Sequence, residues 1–268
     1  MTKAPVLFIS HGAPTFAVEP GELGPRLRSL GGQLPALKAV LVVSPHWQSH
    51  GVKVMTASQP ETVHDFGGFP SGLYALRYPA PGQPEVAREA ARLLVEAGFP
   101  TSLDERRGLD HGAWVPLTHL LPQAQVPVFQ VSMPAALSTA QAVKLGRALA
   151  PLRAQGVMIL GSGSMTHNLN DVRQSGTQPA PYAEEFVAWV RAAVRANSVD
   201  RLIHYRDQAP HAERAHTSEE HFLPLLVAIG AQAENDAVQV IDGGVTHGVL
   251  SMESYAWGMP RPACGQQA

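Results

Sequence analysis

Twelve histidines in 268 residues, set against five tyrosines and a formal charge of −2, are the feature of this chain best able to do chemistry. Neutral imidazole binds divalent transition metals, and its pKa of about 6.5 lets it carry protons near neutral pH. Three of the histidines share a placement. Val6-Leu7-Phe8-Ile9-Ser10 runs into His11-Gly12, Val40-Leu41-Val42-Val43-Ser44-Pro45 runs into His46-Trp47, and Met158-Ile159-Leu160-Gly161-Ser162-Gly163-Ser164-Met165-Thr166 runs into His167-Asn168. Short apolar runs ending at small residues predict strands buried on both faces, and in open α/β sheets ligands gather beyond the carboxyl ends of such strands. If these three strands are parallel neighbours, three imidazoles stand on one edge of one sheet. The lone cysteine, Cys264, permits neither an internal disulfide nor a thiolate cage, so any ion must rest on nitrogen and oxygen.

The elements that must position these side chains alternate along the chain. Leucines at 23, 27, 30 and 34 predict a helix over 21–34, and Gly51 to Ala57 reads as a further strand at a sheet edge. Residues 59–82 show no helical period. With His64-Asp65-Phe66-Gly67-Gly68-Phe69-Pro70, Tyr74 and Tyr78, this segment is too long and aromatic for a connector and reads as a lid or binding loop. Helices follow over 84–98, over 137–154 opened by Ser138, and over 181–196, with strands over 126–132, 157–161 and 237–242. Thr217-Ser218-Glu219-Glu220 has capping-box spacing before a helix over 220–229, which Pro224 should bend or break. His221 falls in the first turn of that helix, where an imidazole or a neighbouring carboxylate could complete a metal site. The alternation predicts one α/β domain over 1–268, a central mostly parallel sheet flanked by helices, with a flexible tail over 260–268.

Several function classes are excluded. The charge balance offers no basic field for nucleic acid, and no run of about 18 apolar residues could span a membrane. A cytoplasmic protein, monomeric or a small homo-oligomer, is expected. Gly161-Ser162-Gly163-Ser164 lacks the lysine of a phosphate-binding loop, and no Asp and His order makes a serine triad, so its glycines read as turn residues.

Six segments taken in order resemble a known family. They are His11-Gly12-Ala13-Pro14-Thr15, Ser44-Pro45-His46-Trp47, His64 to Pro70, Asp110-His111-Gly112-Ala113-Trp114-Val115-Pro116-Leu117, Gly161 to Asn168, and His221-Phe222-Leu223-Pro224-Leu225. Together they resemble the successive motifs of the class III extradiol ring-cleavage dioxygenases, most closely the LigB-like, DOPA 4,5-dioxygenase branch, from about residue 5 to about residue 255. The resemblance implies a LigB-like fold, and metal ligation by His11, His46 and His221. It implies that His167 is the acid/base beside the metal, counted as a fourth ligand in some members, and that His111 reaches into the substrate pocket. One departure matters: protocatechuate-cleaving relatives place a glutamate at the third ligand position, where this chain has His221, with Glu219 and Glu220 as the nearby carboxylates.

The implied reaction is O₂-dependent opening of a catechol ring, DOPA-like or otherwise substituted, to a semialdehyde. It needs one divalent ion with three protein ligands and open positions; Fe(II) is expected for dioxygenase activity, and three or four imidazoles suit Zn(II) as well. A catechol must lose a proton, and the breaking O–O bond must be given one, so a free imidazole at His167 serves both steps. His111 would hydrogen-bond substrate or oxygen, with Asp110 as its orienting partner. Two other readings fit the same histidines: a zinc-dependent hydrolase, and a non-catalytic MEMO-like binding protein on the same fold.

Overall fold

A computed structural model describes residues 3–172 and 178–260. The expected tail over 260–268 therefore lies, beyond its first residue, outside the described residues. The described residues form ten strands: β1 (Val6–Ser10), β2 (Ala39–Ser49), β3 (Val52–Met55), β4 (Thr101–Asp104), β5 (Val128–Pro134), β6 (Val157–Gly163), β7 (Val238–Ile241), β8 (Val245–Thr246), β9 (Leu250–Ser251) and β10 (Ser254–Trp257). Eight of them form one sheet in the order β4-β3-β5-β2-β6-β1-β10-β7, while β8 and β9 pair with each other. The central strands β5, β2, β6 and β1 run parallel. Within this sheet, antiparallel pairing enters where β3 joins β5 and where β10 joins β1 and β7; β8 and β9 are also antiparallel.

The three strands that lead to histidines are thus adjacent and parallel, in the order β2, β6, β1. Every residue of β1 and β6 is buried, which is why their sequences are continuous apolar or small runs without alternation. Their register brings Ser10 opposite Gly163 and Val43 opposite Gly161, so β1 and β6 end level, while β2 runs on past them to Ser49 alongside β5.

Helices cover both faces. Thr139–Leu149 carries the expected cap: Ser138 and Gln141 form a reciprocal capping box. Leu223–Ala231 is buried on every side and lies between Thr139–Leu149 and the sheet, an approach that requires glycine. A Cβ on Gly146 would fall 2.0 Å from the Val227 carbonyl oxygen, and one on Gly161 would fall 2.1 Å from that of Pro224.

Three sequence expectations are corrected here. Pro224 does not break its helix, because the helix starts at Leu223 and a proline in the first turn has no intrahelical donor to lose. The capping box at Thr217 to Glu220 is not formed: Phe222 occupies the N-cap position, and the Ser218 hydroxyl instead donates to the Glu220 carboxylate at 3.0 Å. The strand at 52–55 is not an edge, since β4 pairs outside it. Among the described residues no helix is long and apolar enough to cross a membrane.

Candidate metal centre and active site

His11 is the first residue beyond β1, with its backbone N–H donated to Gly163 at 2.9 Å and its ring buried. His46 sits within β2 where the register against β5 shifts between Val43 and Gln48, a bulge that turns its ring away from the regular pleat. His221 lies just before the Leu223–Ala231 helix. Its carbonyl accepts from the Ser164 N–H at 2.9 Å, and it passes so close to β6 that a Cβ on Gly163 would come within 2.3 Å of it. Three distant segments therefore meet at one end of the sheet.

Their ring nitrogens converge. The Nε2 atoms of His11 and His46 are 3.1 Å apart, and one ligand atom from each of His11, His46 and His221 lies within 4.8 Å of the others. Nitrogens bound to one ion by bonds of about 2.0–2.1 Å stand about 3 Å apart or slightly more, so this spacing suits a shared cation. Two of the opposite nitrogens are within hydrogen-bonding distance of an outer partner, and the third faces a carboxylate at longer range. Nδ1 of His11 is 3.0 Å from Ser162 Oγ, Nδ1 of His221 is 3.0 Å from Glu220 Oε1, and Nδ1 of His46 is 3.7 Å from Asp65 Oδ2. Metal-binding histidines are held in this way, with one nitrogen on a second partner and the other free for the ion.

Electrostatics keep these rings neutral. Burial, followed by the neighbouring imidazoles, pushes His11 and His221 well below the usual histidine pKa. Burial and His111 also lower His46, against the pull of Asp110 and Asp65, to about 4. Neutral rings are the form that coordinates a cation.

Two further histidines border the cluster. The His167 ring stacks on that of His221, with centroids 3.5 Å apart and planes 9° from parallel. Burial lowers its pKa, with the Glu220 charge opposing and His111 reinforcing the shift. His111 opens the His111–Leu120 helix, and its centroid lies 3.9 Å from that of His46. Its partner is not Asp110. Asp110 is fully buried and occupied in scaffolding: it caps the helix and accepts from Ser44, Arg107 and Gln130 at 2.8 Å each.

The group facing His111 is Asp65, whose Oδ1 accepts the His111 backbone N–H at 2.9 Å and whose Oδ2 lies 3.0 Å from His111 Nδ1. That second contact is close without being aligned as a hydrogen bond. Burial alone would raise the Asp65 carboxyl, but the His111 contacts and the nearby His46 outweigh it and hold the group down at about 2.

Asp65 is carried by the aromatic segment that the sequence marks as a binding loop. Phe66 stands edge-on to His111 at 5.6 Å and packs on Tyr74 at 5.2 Å, and the loop is tied down by Trp114 Nε1 donating to the Val63 carbonyl at 3.0 Å. The two carboxylates beside His221 diverge: Glu220 turns to His221, while Glu219 turns to Arg206 at 3.8 Å. A cavity of about 500 Å³ opens beyond Glu220, its walls carrying Arg206, Ser218, Glu219 and Gln48. The sequence reading missed Asp65, Ser162 and the hydrogen-bonding use of Glu220. The adjacent His64-Asp65 pair within an aromatic loop was the one available signal for the first.

Comparison with known proteins bears on what such a cluster does. Residues 7–256 match the family described as the catalytic LigB subunit of aromatic ring-opening dioxygenase. A 4,5-DOPA dioxygenase extradiol of Beta vulgaris is 39% identical over 254 residues, covering 92% of this chain and 94% of its own. The Escherichia coli K12 protein of the same name is 37% identical over 262 residues, 96% of each chain. The crystal structure of an uncharacterized protein from Escherichia coli K12 is similar with a TM-score of 0.80 at 31% identity, covering 95% of this chain and 99% of that one.

Proposed function

From the premise that the chain belongs to the LigB family of aromatic ring-opening dioxygenases, we propose that it performs extradiol cleavage of a substituted catechol, DOPA-like in size and polarity. The observation that carries this reading is the convergence of His11, His46 and His221, each with Nδ1 directed to an outer partner, beside two further imidazoles placed for proton transfer. The donor set fits a divalent ion: three neutral imidazoles form one face, while the carboxylates Asp65 and Glu220 stay outside it as hydrogen-bonding or charge partners. Held by His11, His46 and His221, Fe(II) would supply a binding position for the catechol oxygens and an electron path between ring and O₂. Zn(II) suits the same nitrogens and would compete for them.

The chain's own groups then do the following. His167 is neutral at neutral pH and takes a catechol proton; the resulting imidazolium is stabilised by Glu220 and can return the proton as the O–O bond breaks. His111, steadied by Asp65 through its backbone N–H, presents its ring to substrate. Phe66 and its aromatic neighbours wall one side of the site and restrict water. The mixed charges around the cavity beyond Glu220 suit a substituent bearing both an ammonium and a carboxylate. Both oxygen atoms of O₂ enter the product, one on each carbon of the broken bond, which gives a carboxylate and an aldehyde.

Anaerobic loading with Fe(II), followed by catechols and air-saturated buffer, tests the reading. One O₂ consumed per ring opened, with a yellow semialdehyde absorbance and preference for an amino-acid-substituted catechol, is the expected result. Tight catechol binding with no O₂ uptake would contradict ring opening, and indifference to the substituent would contradict the assignment of the charged cavity.

A further inference from the structure

The serine in Gly161-Ser162-Gly163-Ser164 has no role as nucleophile or phosphate cradle, yet it is fully buried at the end of β6 and touches two groups. Its Oγ lies 3.0 Å from His11 Nδ1 and donates a hydrogen bond to the Gly112 carbonyl. A hydroxyl has one hydrogen, and a carbonyl can only accept. With that hydrogen directed at Gly112, the contact to His11 forms only if His11 Nδ1 carries the proton and donates. Nε2 of His11 is then left as a lone pair facing His46 Nε2.

The Gly112 carbonyl is available because of a proline. In a regular helix it would accept the backbone N–H of residue 116, four positions on, but position 116 in the His111–Leu120 helix is Pro116, which has no N–H. Gly112 also brings the first helical turn against β2: a Cβ there would lie 2.3 Å from Ser44 Oγ and 3.0 Å from His46 Cδ2. One short helix thus presents His111 to the site and an unclaimed carbonyl to Ser162.

We infer that Ser162 is a positioning residue that holds His11 in its Nδ1–H tautomer, and that Pro116 releases the Gly112 carbonyl that orients the serine for this. Free histidine in water prefers the other tautomer, with the proton on Nε2, so a site that needs an Nε2 lone pair gains by fixing the choice before an ion arrives. The value of that choice rests on the proposed role of His11 as a ligand; the tautomer itself does not.

The test is a long-range ¹H–¹⁵N correlation spectrum of metal-free, ¹⁵N-histidine-labelled protein at neutral pH, with His11 assigned by the peaks lost in His11→Gln. His11 is expected to show a protonated Nδ1 and an unprotonated Nε2. In Ser162→Ala, whose fold is checked by its melting curve, the proton should move toward Nε2, and Zn(II) affinity by chelator competition should fall about 10- to 100-fold. An Nε2–H tautomer in the unmodified protein would overturn the inference, and that measurement stands even if the variant does not fold. An unchanged tautomer and affinity in Ser162→Ala would overturn it equally. If the tautomer is as inferred but Zn(II) leaves the His11 ring nitrogens unshifted, the ligand role of His11 fails while the positioning by Ser162 holds.

Discussion

His46→Ala is expected to release the metal and to abolish ring opening. Among the described residues, three overlapping groups of side chains could hold an ion: His11 with His46 and His221, His46 with Asp65 and His111, and His167 with Glu220 and His221. His46 belongs to the first two, so its removal leaves only the third. Its ring is also the nearer neighbour of Asp65 and His111 on that side of the site. Loss of an outer partner of a metal ligand typically weakens binding by about 10- to 100-fold; loss of a ligand itself should exceed that. Metal content after dialysis and Zn(II) affinity by chelator competition are the measurements. The core beneath, formed by the apolar residues of β1, β2 and β6, does not involve this ring, so the variant should fold. Retention of stoichiometric metal in His46→Ala would move the ion to the group formed by His167, Glu220 and His221.

His167→Ala is expected to give the complementary result, with metal retained and turnover lost. The ring stacks face to face on His221 at 3.5 Å, so it lies beside the proposed ligand with its plane parallel to it. Burial keeps it neutral and able to accept a proton, and Glu220 is positioned to stabilise the charge that follows. Removal of a general acid/base typically costs about 10²- to 10⁴-fold in rate, so kcat should fall by that order with KM for the catechol little changed. Loss of the ion in this variant would instead make His167 a ligand.

The contrast between these two variants separates roles that the sequence places on equal footing. His11, His46 and His167 each follow an apolar run, and that pattern was enough to bring three rings to one end of the sheet, because β2, β6 and β1 are adjacent and parallel, with Val43 opposite Gly161 and Ser10 opposite Gly163. Periodicity locates strand ends; it does not say which way a ring turns beyond them. The direction of His46 depends on a bulge, and that of His11 on a hydroxyl from the neighbouring strand, neither of which leaves a period in the sequence.

Other features were hidden for related reasons. The His111–Leu120 helix is buried on all sides, so it shows no amphipathic pattern, and Pro116 argues against a helix by local rules. Strand β10 is four residues long, wholly buried, and paired antiparallel between β1 and β7, so nothing local announces it. Asp65 lies in an aperiodic loop and acquires its role only when that loop folds back onto the start of a helix 46 residues away. By contrast, the amphipathic helices at Pro84–Glu96 and Pro181–Arg195 fall close to where leucine, valine and phenylalanine spacing predicts them.

The location of the ion is the most direct test of the proposed centre. Anomalous diffraction at the iron edge, from crystals loaded anaerobically with Fe(II), should give one peak within bonding distance of His11, His46 and His221, with Asp65, Glu220 and His167 outside that distance. A peak bound through Asp65 and His111, or through Glu220 and His167, would contradict the three-histidine centre.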